Sequence, residues 1–585
     1  MLAGLCQTNL SVKTVLVYEG NLDPSVEEDG FFDAVVPADR LAVPHERARV
    51  EAAFRFCYNT VMLKPISTNT SDFEALRKAG QTYVDKTAYF HRLITDPNRS
   101  FYFVARPRRF GKSLGVTTLK SIFQGHREFF KGLAIDKTDY DWKPHAVIHF
   151  NWGMVDSSSV ENFDKTFPPS VKDSLVAAGY AYDDGAASSL NLKRAIEYFY
   201  AKDGVGPAIL IDEYDDPVAK SLKDIPRAEA IRDRLAAIYA QFKDNSGKIR
   251  FLFITGVSKF TKLSIFSTLS SLNDISFEDE YAAMFGYTEE ELGANFEEHL
   301  RAHAEKMSRS YEDYRAELKR WYNGYRFGRK NPVTVYNPVS IALTLVAKDD
   351  MFRGYWTQTG RASSLMNVIA REGLLKLDYE NLEGVNESAF DVSDLAVINP
   401  VGLLFQTGYL TVRDYSPQFG DYTLGVPDEE VRRDLATLLA GVAANRDMDW
   451  AKSMGSQLLR GRFEPFFTGL KALYAAMAYG SLEERAHETS YARCLSFLLA
   501  AHGLRFRMED VQSDGRADVV AEHPCGVFIF ELKVDEPAAA ALEQVKAKGY
   551  DAPYRGKGLP IYLVGLAFDS KTRHLADAAA VCAQT

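Results

Sequence analysis

Three short apolar runs, FYFVA, AILI and FLFIT, lie between residues 100 and 260, and helix-like segments separate them. Short continuous apolar runs of this kind are typical of buried strands in a parallel sheet, where helices cover both faces. Polar residues follow each run directly. The pattern predicts an α/β domain with a parallel sheet, at whose carboxyl edge these polar side chains meet.

The first run leads into RPRRFGKSL, residues 106–114, and then into the helix-like stretch SLGVTTLKSIFQ. Strand, loop and helix are the context of a phosphate-binding loop, whose usual pattern is G-x-x-x-x-G-K-[ST]. Gly111, Lys112 and Ser113 satisfy its last three positions, whereas Arg106 stands at the first. Gly111 would admit backbone N–H groups to phosphates, Lys112 would reach the β- and γ-phosphates, and Ser113 would ligate magnesium. A surface turn before a helix is an equally good interpretation of Gly-Lys-Ser alone.

The other two runs end in residues that complete such a site. Residues 208–211 lead into Asp212 and Glu213, so a buried strand would deliver an acid pair to its carboxyl end. Asp212 would hold magnesium and Glu213 would polarise the attacking water. Thr255 and Ser258 follow the third run, where a polar side chain could sense the γ-phosphate. The alternative for the acid pair is a strand followed by a solvated acidic turn.

Motifs between about residues 64 and 355 resemble, in order and spacing, the bacterial and archaeal AAA-ATPase-like family. They include TYVDKTAYFHRLI, YFVARPRRFGKSL, AILIDEYDDPV, FGYTEEEL, WYNGYRFG and VYNPVSI. In that family R-P-R-R-F-G-K-S is itself the phosphate loop, so the resemblance implies that Arg106 is the normal residue there. By position, the resemblance assigns ATP and magnesium binding to Lys112, Ser113, Asp212 and Glu213.

Three further arginines, Arg108, Arg109 and Arg326, have an open role. An arginine beside a phosphate loop either contacts phosphate bidentately or pairs with a carboxylate. Both readings stand for Arg108 and Arg109. We count Arg106, Arg108, Arg109 and Ser258 among the candidate cofactor-binding residues.

Near the carboxyl terminus, the sequence predicts a helix, a strand and then a hairpin with arms RADVVAE and GVFIFELKV. Alternate residues of a strand share a face, so Glu531 and Lys533 project together and Asp518 can meet them across the ladder. This combination suits phosphodiester hydrolysis: Asp518 and Glu531 would hold magnesium, and Lys533 would position water and steady charge. The alternative is a surface hairpin with a salt bridge. The apolar VFIF argues against it, because charges at the end of a buried strand are costly.

The stretches DGRADVV, FIFELKV, ALEQVKAKGYDAPY and IYLVGLAFD resemble the PD-(D/E)XK nuclease superfamily over roughly residues 484–570. They resemble in particular the nuclease domain often found behind this AAA-ATPase-like domain. The resemblance implies a restriction-endonuclease-like α/β fold. It also implies that Glu488 completes the metal site and that Gln544 and Tyr550 lie near the phosphate or the metal.

We therefore expect four regions: an N-terminal extension of unknown role (1–61), an AAA-ATPase-like P-loop domain (62–335), a mainly helical lid or linker (336–480) and a nuclease-like domain (481–585). The AAA-ATPase-like motifs begin just after Met62, so residues 1–61 are either an added segment or untranslated. No titratable cluster stands out between about residues 340 and 480. That region is a lid on the ATPase core or, alternatively, a surface that recognises the target.

Composition and charge limit the kinds of partner and the cellular compartment that we expect for this protein. The chain has 585 residues, more than one core usually supports, and its formal net charge is −10. This charge argues against a protein that coats nucleic acid by bulk electrostatics, so we expect any nucleic-acid site to be local. Five scattered cysteines without C-x-x-C spacing fit a reducing cytoplasm. No apolar run approaches the roughly 18 residues that a membrane span needs.

The combined expectation is a cytoplasmic protein that binds and hydrolyses ATP and cleaves nucleic acid with Mg²⁺, DNA being favoured, under nucleotide control. A homo-oligomer is left open, as is a setting in defence or mobile-element biology. The competing interpretation is a non-cutting regulator, in which ATP switches a surface that binds nucleic acid or protein. A ring-forming motor ranks third, because no trans arginine finger can be named.

Overall fold

The computed structural model describes residues 2–8, 11–18, 34–37, 63–259, 269, 271–349, 351–355, 377–391, 399–478, 488–512 and 515–584. At the amino terminus, β1 pairs antiparallel with β2, and β2 pairs parallel with β3. The ranges are β1 (Leu2–Thr8), β2 (Ser11–Tyr18) and β3 (Ala34–Pro37).

A five-stranded parallel sheet forms the centre of the next region. Its strands are β4 (Phe101–Ala105), β5 (Val147–Asn151), β6 (Ala208–Asp212), β7 (Phe251–Gly256) and β8 (Asn273–Asp274). The spatial order is β5-β6-β7-β4-β8. The three apolar runs are β4, β6 and β7, so the predicted parallel sheet is confirmed. Because β7 lies between β6 and β4, the polar ends of all three strands meet at one edge.

Helices cover both faces of this sheet, because its strands are apolar on both sides. Tyr102 and Val104 of β4 face one apolar layer, and Phe101 and Phe103 face the other. The first layer contains α1 (Phe73–Lys78), α2 (Thr87–Thr95) and α3 (Lys112–Phe123). The second contains α4 (Val160–Ala177), α5 (Ser188–Asp203), α6 (Asp216–Ala219) and α7 (Ile225–Asp244).

The region that follows is largely helical but also contains short strands. It comprises α8 (Glu289–Lys306), α9 (Tyr311–Tyr322), β9 (Asn323–Tyr325), β10 (Val335–Tyr336), α10 (Pro338–Val346), β11 (Leu382–Asn386), α11 (Pro400–Thr407), β12 (Thr411–Ser416), β13 (Asp421–Gly425), α12 (Glu429–Ala444), α13 (Met448–Leu459) and α14 (Phe463–Ala478). Strands β9 and β10 pair, and β11, β13 and β12 form an antiparallel sheet in that order.

The carboxyl-terminal region is a second α/β unit. It runs in the order α15 (Glu488–Ala501), β14 (Arg505–Gln512), β15 (Gly515–His523), β16 (Gly526–Val534), α16 (Ala538–Lys548), β17 (Ile561–Phe568) and β18 (Leu575–Gln584). The predicted hairpin is β15 and β16, which are antiparallel. Helix α16 crosses from β16 to the parallel strand β17. The predicted α/β fold is confirmed here too.

One apolar cluster runs through these regions. It contains Phe110 from the loop after β4, Leu435 from α12 and Phe530 from β16. The loop and the carboxyl-terminal sheet therefore belong to one continuous core. None of the helices in the described part of the chain combines the length and the apolar character that crossing a bilayer would take.

Candidate active sites

The loop between β4 and α3 has the backbone that its sequence predicts. Gly111 has φ +90° and precedes the first residue of α3, a conformation in which a residue with a Cβ is strained. Lys112 is 7% exposed, and its ammonium donates to the carbonyls of Arg106 and Pro107, both at 2.9 Å. Burial lowers the pKa of Lys112 to about 8, although Asp212 and other carboxylates oppose the shift. A buried ammonium at the start of a helix, directly after a glycine with positive φ, is suited to phosphate.

Ser113 and Asp212 lie side by side. The Ser113 hydroxyl is near enough to the Asp212 carboxylate to influence its pKa, and Asp212 Oδ1 accepts the backbone N–H of Glu213 at 3.1 Å. Burial raises the pKa of Asp212, and Ser113 and Lys112 oppose this shift. A hydroxyl beside a carboxylate is an oxygen donor pair of the kind that Mg²⁺ prefers. These residues therefore fit a magnesium-bound nucleotide.

Glu213 is held against the end of β5, a contact that sequence reasoning missed. It has φ +51°, and burial raises its pKa, with Asp216 adding to the shift. A Cβ on Gly153 would lie 1.6 Å from Glu213 Oε2. The backbone of Gly153 is itself held by Asn151 Oδ1 at 3.0 Å. The glycine therefore leaves the space that the Glu213 carboxylate occupies.

Gly153→Ala is expected to lower the rate of ATP hydrolysis while leaving ATP affinity nearly unchanged. The added methyl displaces the Glu213 carboxylate, and a misplacement of about 1 Å costs on the order of 10²-fold in rate. Steady-state phosphate release and equilibrium ATP binding, measured on the same preparation, test this split. Unchanged hydrolysis would show that Glu213 does not polarise the water.

The end of β7 contributes a third set of polar groups. The Thr255 hydroxyl is buried with no hydrogen-bond partner among the described residues, and Ser258 is buried as well. Asp215 accepts the backbone N–H groups of Val257 at 3.2 Å and of Ser258 at 2.7 Å. Asp215 and its neighbour Asp216 are both buried, so the solvated acidic turn considered from sequence is wrong. Asp215 therefore fixes the turn after β6 relative to the end of β7.

The Arg106 side chain turns away from the loop, and here the sequence expectation needs correction. Its buried guanidinium donates to the carbonyls of Ser276 at 2.7 Å and Tyr281 at 3.2 Å, and lies 4.2 Å from the centroid of the Phe327 ring. Burial lowers its pKa to about 9. Only the carbonyl of Arg106 faces Lys112. The side chain fastens the segment after β8 and is not placed to bind a cofactor.

Arg106→Ala is therefore expected to destabilise the fold by about 3 kcal/mol, because buried carbonyls lose their donor. Arg108→Ala is the matched control in the same loop, since its half-exposed side chain should contribute less than about 1 kcal/mol. Urea unfolding of both variants measures the difference. Equal unfolding free energies would contradict the role given to Arg106.

The other three arginines have different surroundings. Arg108 Nη2 lies 3.3 Å from Asp216 Oδ1, so it pairs with a carboxylate. Arg109 has φ +67° and is half-buried; burial lowers its pKa, and Glu430 of α12 opposes the shift. Arg326 donates to backbone carbonyls of its own turn and of β12, away from the loop. Arg108 and Arg109 thus stay beside the loop, whereas Arg326 braces the adjoining sheet.

A second site lies at the end of the β15–β16 hairpin. Asp518 and Glu531 are the next residues beyond the last ladder pair, Val519 and Phe530, and Asp518 Oδ2 accepts the backbone N–H of Leu532 at 2.7 Å. Glu531 is 2% exposed, and the Lys533 ammonium lies 3.3 Å from its Oε1. The structure thus brings together the two carboxylates and the lysine that the alternation predicts. Paired carboxylates with an adjacent ammonium fit a divalent ion.

Helix α16 supplies a further group to this site. Gln544 donates to Glu531 Oε1. Gly565, the β17 partner of Glu531, permits this approach, because a Cβ there would lie 2.4 Å from the carbonyl of the first residue of α16. Tyr550 is buried in the apolar cluster beneath the helix. Glu488 is the first residue of α15, but its side chain lies outside the described part of the structure.

Metal binding at the hairpin would draw on few protein ligands. Across the described side chains, no group of three or more His, Cys, Asp or Glu is arranged to hold a metal ion. Asp518 and Glu531 would then be two carboxylate ligands, and Glu488 remains the predicted third. Two carboxylates with water completing the shell are the usual manner of binding Mg²⁺.

The middle region contains a buried acidic cluster, contrary to the expectation that none stands out there. Its members lie at the start of α12 and are Asp428, Glu429, Glu430 and Asp434. Burial and the charge of Glu430 raise the pKa of Asp428 well above its ordinary value. The sequence DEEVRRD is typical of a solvent-exposed helix N-terminus. The burial of these carboxylates is therefore evident only from how the helix packs in the structure.

Comparisons with known proteins agree with this geometry. A family model described as a predicted AAA-ATPase matches residues 67–266, and one described as the PD-(D/E)XK nuclease superfamily matches residues 486–578. The chain is 32% identical over 504 residues to an uncharacterized protein in the vnfD 5′ region of Azotobacter chroococcum mcd 1. That alignment covers 84% of this chain and 93% of the relative. The chain belongs to the predicted AAA-ATPase family and carries a PD-(D/E)XK nuclease superfamily domain at its carboxyl end.

Proposed function

We propose that the protein hydrolyses ATP and that its nucleotide state controls metal-dependent cleavage of nucleic acid by the carboxyl-terminal domain. The observation that carries the proposal is the cluster of Asp518, Glu531, Lys533 and Gln544 at the end of a buried hairpin. Buried charges are costly unless they are paired or coordinate a metal ion. The cluster also shares one apolar core with the phosphate loop, which supports control of one site by the other.

At the first site, the chain's own residues divide the work. Lys112 neutralises phosphate charge, Ser113 and Asp212 hold magnesium, and Glu213 polarises water against the phosphate that leaves. Thr255 and Ser258 place polar groups where the γ-phosphate would lie. Bound ATP would supply the phosphoanhydride whose hydrolysis drives the change of state.

At the second site, Asp518 and Glu531 would hold Mg²⁺, and Lys533 would orient water and stabilise developing charge. Gln544 keeps the Glu531 carboxylate in place. Mg²⁺ would supply the Lewis acid for phosphodiester hydrolysis. We propose DNA as the substrate, a cytoplasmic location and no membrane partner. Self-association into a homo-oligomer is compatible with the same scheme.

The test is a cleavage assay on labelled DNA and RNA with the full-length protein, with Mg²⁺ or EDTA, and with ATP, ADP or no nucleotide. We expect cleavage to require the metal, and its rate to change with the nucleotide. Cleavage at the same rate under all nucleotide conditions would reject nucleotide control of the nuclease. If the nucleic acid stays intact with every divalent metal tested, the nuclease assignment is rejected.

A second candidate is a non-cutting regulator that binds nucleic acid or protein under ATP control. It is favoured by the net charge of −10 and by the pairing of basic groups in the second domain: Arg507 and Lys557 both contact Glu522. Retarded but uncut nucleic acid in the same assay would identify this function.

A further inference from the structure

The turn between β6 and α6 forms one side of the proposed ATP site. Asp216, the first residue of α6, is buried. Its backbone N–H donates to the carbonyl of Glu213 at 3.1 Å. Asp216 is therefore held one turn from the acid to which we assign the polarisation of water. Its carboxylate lies on the side of the site where hydrolysis would occur.

Arg108 reaches this turn from the phosphate loop. Its Nη2 donates to Asp216 Oδ1 at 3.3 Å, and 41% of its side chain is exposed. Burial raises the pKa of Glu213 and lowers that of Lys112, and the charge of Arg108 opposes the first shift and adds to the second. The guanidinium is therefore within electrostatic reach of both groups that would flank the γ-phosphate, and it remains open to a ligand.

The other carboxylate oxygen of Asp216 is held from behind. Oδ2 forms an ion pair with Lys220, the residue that follows α6. Lys220 Nζ also donates to the carbonyl of Gly153 at 3.1 Å, and Gly153 belongs to the segment that leaves space for Glu213. A side chain keeps a productive orientation when the residues that support it are themselves held by hydrogen bonds. Lys220 thus fixes the carboxylate that orients Arg108.

An arginine held in this way can bind phosphate without leaving Asp216. A guanidinium has five N–H donors in a planar fork, and the contact with Asp216 is made by Nη2. Lys112, by contrast, acts on phosphate as a point charge. During phosphoryl transfer, charge spreads over the γ-phosphate oxygens and the leaving oxygen. A fork of donors is suited to stabilising charge that is spread over several oxygens.

We propose that Arg108 is a catalytic residue for ATP hydrolysis and that Asp216 is the positioning residue that directs its guanidinium to the γ-phosphate. This rests on the proposed ATP hydrolysis. In the reaction, the water oxygen bonds to the γ-phosphorus, the bond from that phosphorus to the β,γ-bridging oxygen breaks, and its electron pair stays on ADP. One water proton remains on inorganic phosphate and the other passes to solvent. Arg108 neutralises the charge that develops on the transferred phosphate.

The test is ATP hydrolysis and equilibrium nucleotide binding by the full-length chain with Arg108→Ala, Asp216→Asn or both. We expect Arg108→Ala to lower kcat by about 10²- to 10³-fold. ATP affinity should change far less, because the charge that Arg108 meets develops in the transition state. Asp216→Asn should lower kcat by about 10²-fold, through misplacement of the guanidinium. The double variant should be as slow as Arg108→Ala, because Asp216 acts through Arg108.

Arg127→Ala is the matched control. Arg127 forms a comparable ion pair with Asp136 at 3.2 Å, but it follows the end of α3 that is remote from the loop. Its removal should leave kcat within about twofold of the wild type, because an exposed ion pair contributes little. ADP affinity checks that the site is intact in each variant. It should stay close to the wild-type value, since Arg108 is directed to the γ-phosphate.

Unchanged kcat in Arg108→Ala, or a fall in ADP affinity as large as the fall in kcat, would overturn the role of Arg108. A double variant slower than Arg108→Ala by the full factor of Asp216→Asn would overturn the role of Asp216. The wild-type chain separates this inference from the proposed function. If it hydrolyses ATP and loses hydrolysis with Lys112→Ala, these outcomes reject only the roles of Arg108 and Asp216. If it hydrolyses no ATP, the proposed function fails and this inference fails with it.

Discussion

Replacing Lys533 by alanine is expected to lower metal-dependent cleavage by about 10²- to 10³-fold, the usual effect of removing one group that stabilises developing charge. Its ammonium lies 3.3 Å from Glu531 Oε1 and is mostly buried at the hairpin end. The loss should appear in the rate constant of cleavage under single-turnover conditions, with little change in nucleic-acid affinity. A labelled DNA duplex with Mg²⁺ in excess provides the measurement.

Lys546→Ala is the matched control for this prediction. Lys546 carries the same charge but is exposed on α16, the helix that supplies Gln544. Its removal should alter cleavage less than about threefold, because an exposed charge contributes mainly through screened, long-range attraction. Intact cleavage in Lys533→Ala, or an equal loss in the control, would reject the catalytic assignment.

Lys112→Ala should weaken ATP binding by about 10- to 100-fold, since a hydrogen bond to a charged group contributes roughly 1.5–3 kcal/mol. The ammonium donates to the loop carbonyls of Arg106 and Pro107, and Asp212 is the carboxylate that most opposes the fall in its pKa. Isothermal titration with Mg²⁺ and ATP measures the affinity. If nucleotide controls cleavage, the same variant should cleave at the rate of the wild type without ATP.

Lys120→Ala tests whether such a loss is specific. Lys120 lies in the last turn of α3, the helix that Lys112 begins. Its removal should leave ATP affinity within about twofold of the wild type, because it lies two turns from the loop. Wild-type affinity in Lys112→Ala would remove the basis for a phosphate site. If cleavage by Lys112→Ala still responds to ATP as it does in the wild type, ATP binding at this loop does not control the nuclease site.

The local sequence was sufficient to predict the secondary-structure elements that carry the two sites. The strand, loop and helix around Gly111 follow from neighbouring residues, because the turn needs a positive φ and the helix begins at once. The hairpin and the shared face of Glu531 and Lys533 follow from the two-residue period of a strand. Such features depend on residues a few positions apart, so they can be predicted from the amino-acid sequence.

Contacts between distant segments could not be read in this way. The space that Gly153 leaves for Glu213 depends on how β5 lies beside β6. The glycine has no periodic or motif signal of its own. A search of every residue that follows a strand at the same sheet edge would have raised it as a candidate.

The sequence by itself determined that a phosphate loop with an acid pair, and a hairpin with two carboxylates and a lysine, occur in one chain. Only the tertiary structure decided that Arg106 serves the fold and that Glu430 is buried at the start of α12. The physical reason is that a charged side chain takes its role from its surroundings. Burial and partners many residues away decide whether it meets a carbonyl, a carboxylate or a phosphate.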